Sequence, residues 1–169
     1  MAKRTHGFTI IEALVGSAIL GLGLTALFTH WVGVFNRYTK AREVAQAGQL
    51  ARAEVERAKV YGTANLPLGT YASSTNTATW TGAFDPGTGG WVTSGSTYYD
   101  RSGNRVASAA ASGVRYKLQA TISDTGLLTK STGYAFQMQS ERAFAVTVTL
   151  VPEGSVVAQM GTNIVPGGL

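Results

Sequence analysis

The stretch that decides the fold lies at the amino terminus, where residues 1–23 read MAKRTHGFTIIEALVGSAILGLG. An apolar run begins at Phe8, and between Phe8 and Phe35 the only formally charged side chain is that of Glu12. About 20 apolar residues suffice to cross the hydrocarbon core of a bilayer. The run therefore predicts one membrane-spanning helix, and it leaves Glu12 as an acid among apolar neighbours.

Two ordinary explanations compete for this run. A secretory signal peptide needs a shorter apolar core followed by a small-residue cleavage site, whereas here a longer run leads into Asn36-Arg37-Tyr38. A plain signal anchor accounts for the hydrophobicity but leaves Glu12 unexplained, because acids inside a span are rare and usually functional. Flanking charge does not orient the span, since basic residues lie on both sides of it. These are Lys3 and Arg4 before the run, and Arg37, Lys40 and Arg42 after it.

The start of the chain resembles the processing signal of the type IV pilin family, which includes pilus subunits, type II secretion pseudopilins and competence pseudopilins. The resemblance lies in a short basic leader ending in Gly7, followed by Phe8-Thr9-Ile10-Ile11-Glu12-Ala13-Leu14-Val15. It implies that a membrane-embedded prepilin peptidase cleaves after Gly7 on the cytoplasmic side and methylates the new terminus at Phe8. It also implies that Glu12 pairs with the terminal amine of a neighbouring subunit during filament assembly.

The proposed pairing of Glu12 also has a physical basis. A carboxylate in hydrocarbon is stabilised when a cation is brought to it. Cleavage before the apolar run exposes a new ammonium group at its start. Because the acid and the amine are offset along the helix, pairing between subunits imposes an axial stagger. Such a heterologous contact produces filaments and not closed rings.

The resemblance further implies a location and partners. The precursor is expected in the inner membrane as a single-pass protein with its globular domain outside the cytoplasm, and later in a pilus or periplasmic pseudopilus. The expected partners are other pilins or pseudopilins, the prepilin peptidase and the inner-membrane assembly platform. The wording EALVGSAILGLGL and the absence of cysteine favour a minor pilin or a minor type II secretion pseudopilin. Pilus, secretion and competence roles share all these residues, so the sequence does not separate them.

Small residues recur at every fourth position of the anchor. They are Ala13, Ser17, Gly21, Thr25, Thr29 and Gly33. In lipid, such spacing lets helix backbones approach closely. We therefore predict helix packing along this ridge, against the alternative of coincidence in a span rich in alanine and glycine.

The segment that follows, residues 37–62, predicts an amphipathic continuation of the same helix. It lacks proline, and apolar or small residues recur in steps of three and four. They are Ala41, Val44, Gly48, Ala51, Val55 and Ala58. Ion pairs are expected between Arg52 and Glu56 and between Glu56 and Lys59. Gly62 and Pro67 provide a stop, so the helix is predicted from Thr9 to Tyr61. A coiled coil is the alternative, but its core positions would be few and small.

The remainder of the chain predicts an antiparallel β-sheet. Residues 63–112 read as loops and short strands, with turns at DPGTGGW and DRSGNR. Alternation of apolar and polar residues marks strands over residues 114–122 and 144–150, and more weakly at Tyr134, Phe136 and Met138. The unpartnered apolar face is that of the helix's second half. We therefore predict an α+β fold, with leader 1–7, anchor 8–35, amphipathic helix 36–62 and β-rich domain 63–169.

Little in the sequence supports catalysis or a cofactor. There is no cysteine, and the two histidines, His6 and His30, lie in the leader and the anchor. No enzyme activity, cofactor or metal is therefore predicted. Asp100, Ser102 and Asn104 could surround a calcium ion, but a hairpin turn explains them more simply because the loop lacks further carboxylates.

DNA binding is the second function class to consider. The formal charge of +5 favours it, although removal of the leader takes away Lys3 and Arg4. Candidate patch residues are Arg101, Arg105, Arg115 and Lys117. A solvated strand face is the commoner explanation for these basic residues. DNA binding through clustered phosphate contacts would instead show a steep salt dependence.

Overall fold

The computed structural model describes residues 9–67, 69–72, 77–124 and 141–165. The chain divides into two compact units, Met1–Arg42 and Glu43–Leu169. In chain order the described elements are α1 Ile10–Tyr61, a 3₁₀ turn Thr63–Asn65, β1 Thr70–Ala72, β2 Thr77–Asp85, β3 Gly90–Thr93, β4 Thr97–Asp100, β5 Arg105–Val106, β6 Val114–Asp124, β7 Arg142–Leu150 and β8 Val156–Ile164.

The helix α1 extends over 52 residues and confirms the predicted boundaries to within one residue. It contains no proline, so its hydrogen-bond ladder is not interrupted. The helix ends before Gly62. The N–H of Gly62 donates hydrogen bonds to the carbonyl oxygens of Ala58 at 3.1 Å and Lys59 at 3.2 Å. Gly62 has φ of 66°, in the left-handed region that glycine adopts without steric penalty.

The sheet is antiparallel throughout, as predicted, and β6 is its central strand. Along one side β6 pairs with the whole of β7, and β8 follows β7. Along the other side, β2 pairs with the second part of β6 and β4 pairs with its first part. The short strands complete that side, with β1 and β3 on β2 and β5 on β4.

The two strongest strand predictions are confirmed by β6 and β7. Their alternating apolar residues face each other in the register, with Ile122 opposite Phe144 and Leu118 opposite Val148. These side chains are buried, while the intervening residues lie on the other face of the sheet. The weaker strand predicted at Tyr134, Phe136 and Met138 lies outside the described residues. β8, where no strand was predicted, continues the sheet beyond β7.

The core of the globular unit forms where the second half of α1 packs on this sheet. Ala51, Val55 and Ala58 are buried there, as predicted, together with Ala47. The predicted face was wrong at its first two positions, because Ala41 and Val44 are exposed. Val44 lies seven residues, or about two turns, before the buried Ala51 on the same helical face. The apolar spacing therefore extends along the helix beyond the residues that the sheet buries.

The ion pairs along the helix were predicted only in part. Lys59 Nζ lies 3.1 Å from Glu56 Oε1, which confirms that pair. The Arg52–Glu56 pair does not occur in the described part of the chain. Instead, Arg57 pairs with Glu54, whose side chain the sheet buries.

Candidate assembly and surface sites

Glu12 closes the first turn of its own helix. Its Oε2 accepts hydrogen bonds from Thr9 N at 2.9 Å and Thr9 Oγ1 at 3.0 Å, and the Thr9 hydroxyl accepts one from Glu12 N at 3.3 Å. This is a capping box, in which two helix-terminal donors are satisfied reciprocally. The cap was not predicted, although threonine followed three residues later by glutamate is its ordinary signature.

The cap leaves part of the Glu12 carboxylate available. Among the described residues, no hydrogen bond is found to Oε1 of Glu12, and the side chain is exposed. One oxygen can therefore hold the cap while the other accepts from a second donor. The processing residues Gly7 and Phe8 lie outside the described residues.

The small-residue ridge presents a surface without free hydroxyl groups. Ser17 Oγ donates to the carbonyl oxygen of Leu14 at 2.9 Å, and Thr25 Oγ1 donates to that of Gly21 at 2.8 Å. Thr29 does the same to Thr25 at 2.9 Å. Each hydroxyl is thus satisfied within the helix, and the ridge can meet an apolar neighbour without leaving these groups unpaired.

The first unit is apolar on its surface. Most of its large hydrophobic side chains are exposed, among them Ile10, Leu14, Leu22, Phe28 and Trp31. Among the described residues, α1 is the one helix long and apolar enough to cross a membrane by length and composition.

Two of the four candidate DNA-contacting residues are engaged by carboxylates. Arg115 is only 14% exposed, and its Nε lies 2.8 Å from Glu43 Oε1 while its Nη1 lies 2.7 Å from Glu153 Oε1. Hydrogen bonds to these two carboxylates raise the pKa of Arg115, and the bond to Arg115 lowers the pKa of Glu153. Arg105 Nη2 lies 3.1 Å from Asp85 Oδ1.

The other two candidates lie on separate elements. Arg101 is exposed in the turn between β4 and β5, and Lys117 is half-buried on β6, opposite Tyr98 of β4 and Thr149 of β7. Arg105 and Arg115 bring their own counter-charges, so most of the local positive charge around them is offset.

The loop suspected of calcium binding is a hairpin turn, and that simpler interpretation is confirmed. Asp100 accepts hydrogen bonds from Ser102 N at 2.8 Å, Asn104 N at 2.9 Å and Asn104 Nδ2 at 3.1 Å. These bonds, chiefly those from Asn104, lower the pKa of the Asp100 carboxyl. The turn joins β4 to β5. In the described ranges, no group of three metal-ligating side chains occurs.

The core also buries an acid that was not predicted. Glu54 is 2% exposed, and its Oε2 accepts from Arg57 Nη1. Its Oε1 is buried without a hydrogen-bond partner among the described residues. The Arg57 guanidinium lies 4.7 Å from the centre of the Phe84 ring. Burial raises the pKa of the Glu54 carboxyl, and the charge of Arg57 opposes that rise.

Comparison with known families identifies the amino-terminal segment. Residues 2–28 match the family model described as the prokaryotic N-terminal methylation motif. This motif is the type IV pilin and prepilin signal, and the chain therefore carries that signal. Its long helix packed on an antiparallel sheet is a pilin-like α+β architecture. Comparisons with curated proteins and with solved structures find no significant match.

The motif and the fold together indicate a structural subunit. The signal and the apolar helix that follows it fit a precursor anchored in the inner membrane. In general, this signal implies processing by a prepilin peptidase and assembly with other pilins.

Proposed function

We propose that this protein is a structural subunit of a type IV pilus or pilus-like filament, in the role of a minor pilin. The observation that carries the proposal is the methylation motif running directly into an apolar helix whose first turn contains Glu12. The precursor spans the inner membrane once, is cleaved after Gly7 and is methylated at Phe8. Its globular domain lies outside the cytoplasm. The proposed segments are a leader of residues 1–7, an anchor of 8–35, an amphipathic helix of 36–62 and a β-rich domain of 63–169.

Assembly proceeds through the acid and the new terminus. Cleavage leaves an ammonium group on Phe8, next to the capping residue Thr9. In the filament, Glu12 of one subunit accepts from the Phe8 amine of a neighbour through the oxygen that the cap leaves available. Pairing removes two charges from contact with lipid together, which costs far less than burying either alone.

Helix packing supplies the rest of the assembly contact. The ridge through Ala13, Ser17, Gly21 and Thr25 lets a neighbouring helix approach closely, because its hydroxyls are already satisfied. Partners are other pilins or pseudopilins, and the inner-membrane platform inserts the processed subunit among them.

Mass spectrometry of the protein extracted from membranes and from sheared filaments tests the proposal. The expected mature chain begins with N-methylated Phe8. A Gly7→Val variant should accumulate as the full-length precursor, because the peptidase needs a small residue at that position. An intact Met1 or Ala2 terminus in assembled filaments would refute the proposal.

A type II secretion pseudopilin and a DNA-binding competence pseudopilin are the alternative functions. The secretion role uses the same residues as the pilus role, and deletion phenotypes separate them, since loss of piliation, of secretion or of transformation identifies the system. The DNA-binding role has less support than the pilus and secretion roles, because carboxylates form ion pairs with two of its candidate residues. Asp85 pairs with Arg105, and Glu43 and Glu153 pair with Arg115.

A further inference from the structure

The carboxyl-terminal end of the apolar run carries aromatic and basic side chains that the proposed function leaves unused. We call this set the juxtamembrane belt, and its members are Trp31, Phe35, Arg37, Tyr38, Lys40 and Arg42. All six are exposed. The rings of Trp31 and Phe35 lie 5.9 Å apart and meet edge to face at 79°. The belt is thus an amphipathic collar within the first unit.

The position of the belt along the helix matches one bilayer boundary. From Ile10 to Trp31 the helix rises about 32 Å, which is close to the roughly 30 Å of hydrocarbon in a typical bilayer. With Ile10 at one boundary, Trp31 therefore lies at the other. Tryptophan and tyrosine favour this level, because their rings have an apolar body and a polar edge. Arg37 then lies about 9 Å beyond Trp31, at the depth of the lipid headgroups.

Helix geometry directs the basic side chains back toward the bilayer. Each Cα–Cβ bond in a helix tilts toward the amino terminus, which for the belt is the membrane side. Lysine and arginine also have long apolar stems that let the charged end reach several ångströms from the backbone. Arg37, Lys40 and Arg42 can therefore approach the phosphate layer although their own Cα atoms lie at or above it.

The one acid in the sequence of the first unit, Glu12, is 25 residues before Arg37 and does not compete with lipid for these cations. After Glu12, the next acid along the chain is Glu43, and Arg115 engages that carboxylate at 2.8 Å. In the described part of the chain, none of Arg37, Lys40 and Arg42 takes part in an ion pair. Three uncompensated positive charges within six residues complement a surface of lipid phosphates.

We propose that the juxtamembrane belt binds anionic phospholipid headgroups in the leaflet at the carboxyl-terminal end of the span. The inference rests on the proposed membrane insertion and adds a partner to it. Binding fixes the depth of the unassembled subunit, and it places Glu12 about 3 Å inside the opposite boundary. All waiting subunits then hold their acid at one level, where a neighbour's amine can reach it.

The test measures lipid selectivity of the full-length protein in nanodiscs. Spin-labelled phosphatidylglycerol and spin-labelled phosphatidylcholine are compared by the fraction that the protein immobilises. The test variant is R37Q/K40Q/R42Q. The control variant is R52Q/R101Q/K117Q, which removes the same charge from residues outside the belt. Circular dichroism checks that both variants keep the helix content of the wild type.

The wild type and the control variant should prefer phosphatidylglycerol by at least about fivefold, the preference that one basic residue near a membrane surface confers. The preference should fall with added salt and approach one in the test variant. An equal preference in both variants would overturn the proposal, as would the absence of preference in the wild type. If the test variant keeps the wild-type preference for phosphatidylglycerol but no longer assembles into filaments, the proposal is overturned and the belt contacts a neighbouring subunit instead. Failure of the wild type to enter nanodiscs would refute membrane insertion itself and this inference with it.

Discussion

Replacing Arg57 with alanine should destabilise the globular unit through the acid it leaves behind. Glu54 is 2% exposed and has one oxygen without a hydrogen-bond partner in the described structure. Arg57 supplies the counter-charge and also lies over the Phe84 ring. Removing one partner of a buried pair typically costs about 3–5 kcal/mol. Because the Arg57 side chain is 36% exposed, water compensates in part and we expect about 3 kcal/mol.

Two further variants identify the cause. Lys59→Ala removes a pair with the same spacing on the same helix, but both of its partners are about half exposed. It should cost only about 0.3–0.5 kcal/mol. Glu54→Gln/Arg57→Ala removes both charges, so it should recover most of the stability lost by Arg57→Ala, since an unpaired neutral group costs less to bury than an ion.

The dependence on pH has a defined sign. Burial raises the pKa of Glu54 in the folded state above the ordinary value of a glutamate carboxyl. The folded state therefore holds this proton more tightly than the unfolded state, and the penalty of burying Glu54 diminishes as pH falls through the folded pKa. The cost of Arg57→Ala should accordingly be smaller at pH 5 than at pH 7.5. That difference should disappear in the double variant.

Urea unfolding of residues 37–169 measures these free energies, with fluorescence of Trp80 and Trp91 in the core as the signal. A cost of Arg57→Ala below about 1 kcal/mol at pH 7.5, no larger than a surface pair contributes, would refute the argument. So would a cost that does not change with pH.

Three further predictions concern the rest of the molecule. The fragment starting at Arg37 should sediment as a monomer, because it lacks the ridge and the acid to which we assign filament assembly. Stable polymers of this fragment would contradict that assignment. Gly82→Ala should prevent folding of the domain, as judged by loss of Trp80 fluorescence, because an added Cβ would collide with the carbonyl oxygen of Val92. Gly48→Ala should fold normally, because an added Cβ there would have nothing within 4 Å. Asp100→Asn should make the free energy of unfolding depend less on pH in the acid range. Hydrogen bonds lower the pKa of Asp100 in the folded state, so this carboxylate stabilises the fold above its unfolded pKa and loses that contribution as pH falls through the folded pKa.

The parts of the fold that sequence predicted are those in which one face differs clearly from the other. In β6 and β7, apolar residues alternate with polar ones, and both strands were located correctly. In β8, the residues opposite Phe144, Val146 and Val148 are Thr162, Met160 and Ala158. This mixture gives no clear alternation, because β8 covers the margin of the core and needs less apolar surface there. The position of β8 in the sheet follows from its antiparallel pairing with β7, which the sequence of β8 alone does not indicate.

The residue proposed for assembly could be singled out from sequence for a related reason, and its pairing between subunits stays a prediction. An acid in an apolar run is conspicuous, so Glu12 could be singled out from sequence. The capping role of Thr9 depends only on its spacing from Glu12, so it could have been predicted from the sequence. The prediction for Glu12 concerned only its contact between subunits. Glu54 could not be recognised as buried, because its position on a charged helix looks like a solvated one until the sheet is in place.

The most direct test of the central claim separates the two roles of Glu12. Glu12→Ala removes the cap and the pairing charge, whereas Thr9→Ala weakens the cap and keeps the charge. Both variants should insert in the membrane and be cleaved after Gly7. The measurement is the ratio of filament-associated to membrane-pool protein, by immunoblot of sheared filaments. If the carboxylate pairs between subunits, Glu12→Ala should lower that ratio by at least about tenfold, since breaking a buried pair costs about 3–5 kcal/mol, and Thr9→Ala should stay close to the wild type. Equal ratios in all three forms, or an equal fall in both variants, would contradict the pairing role.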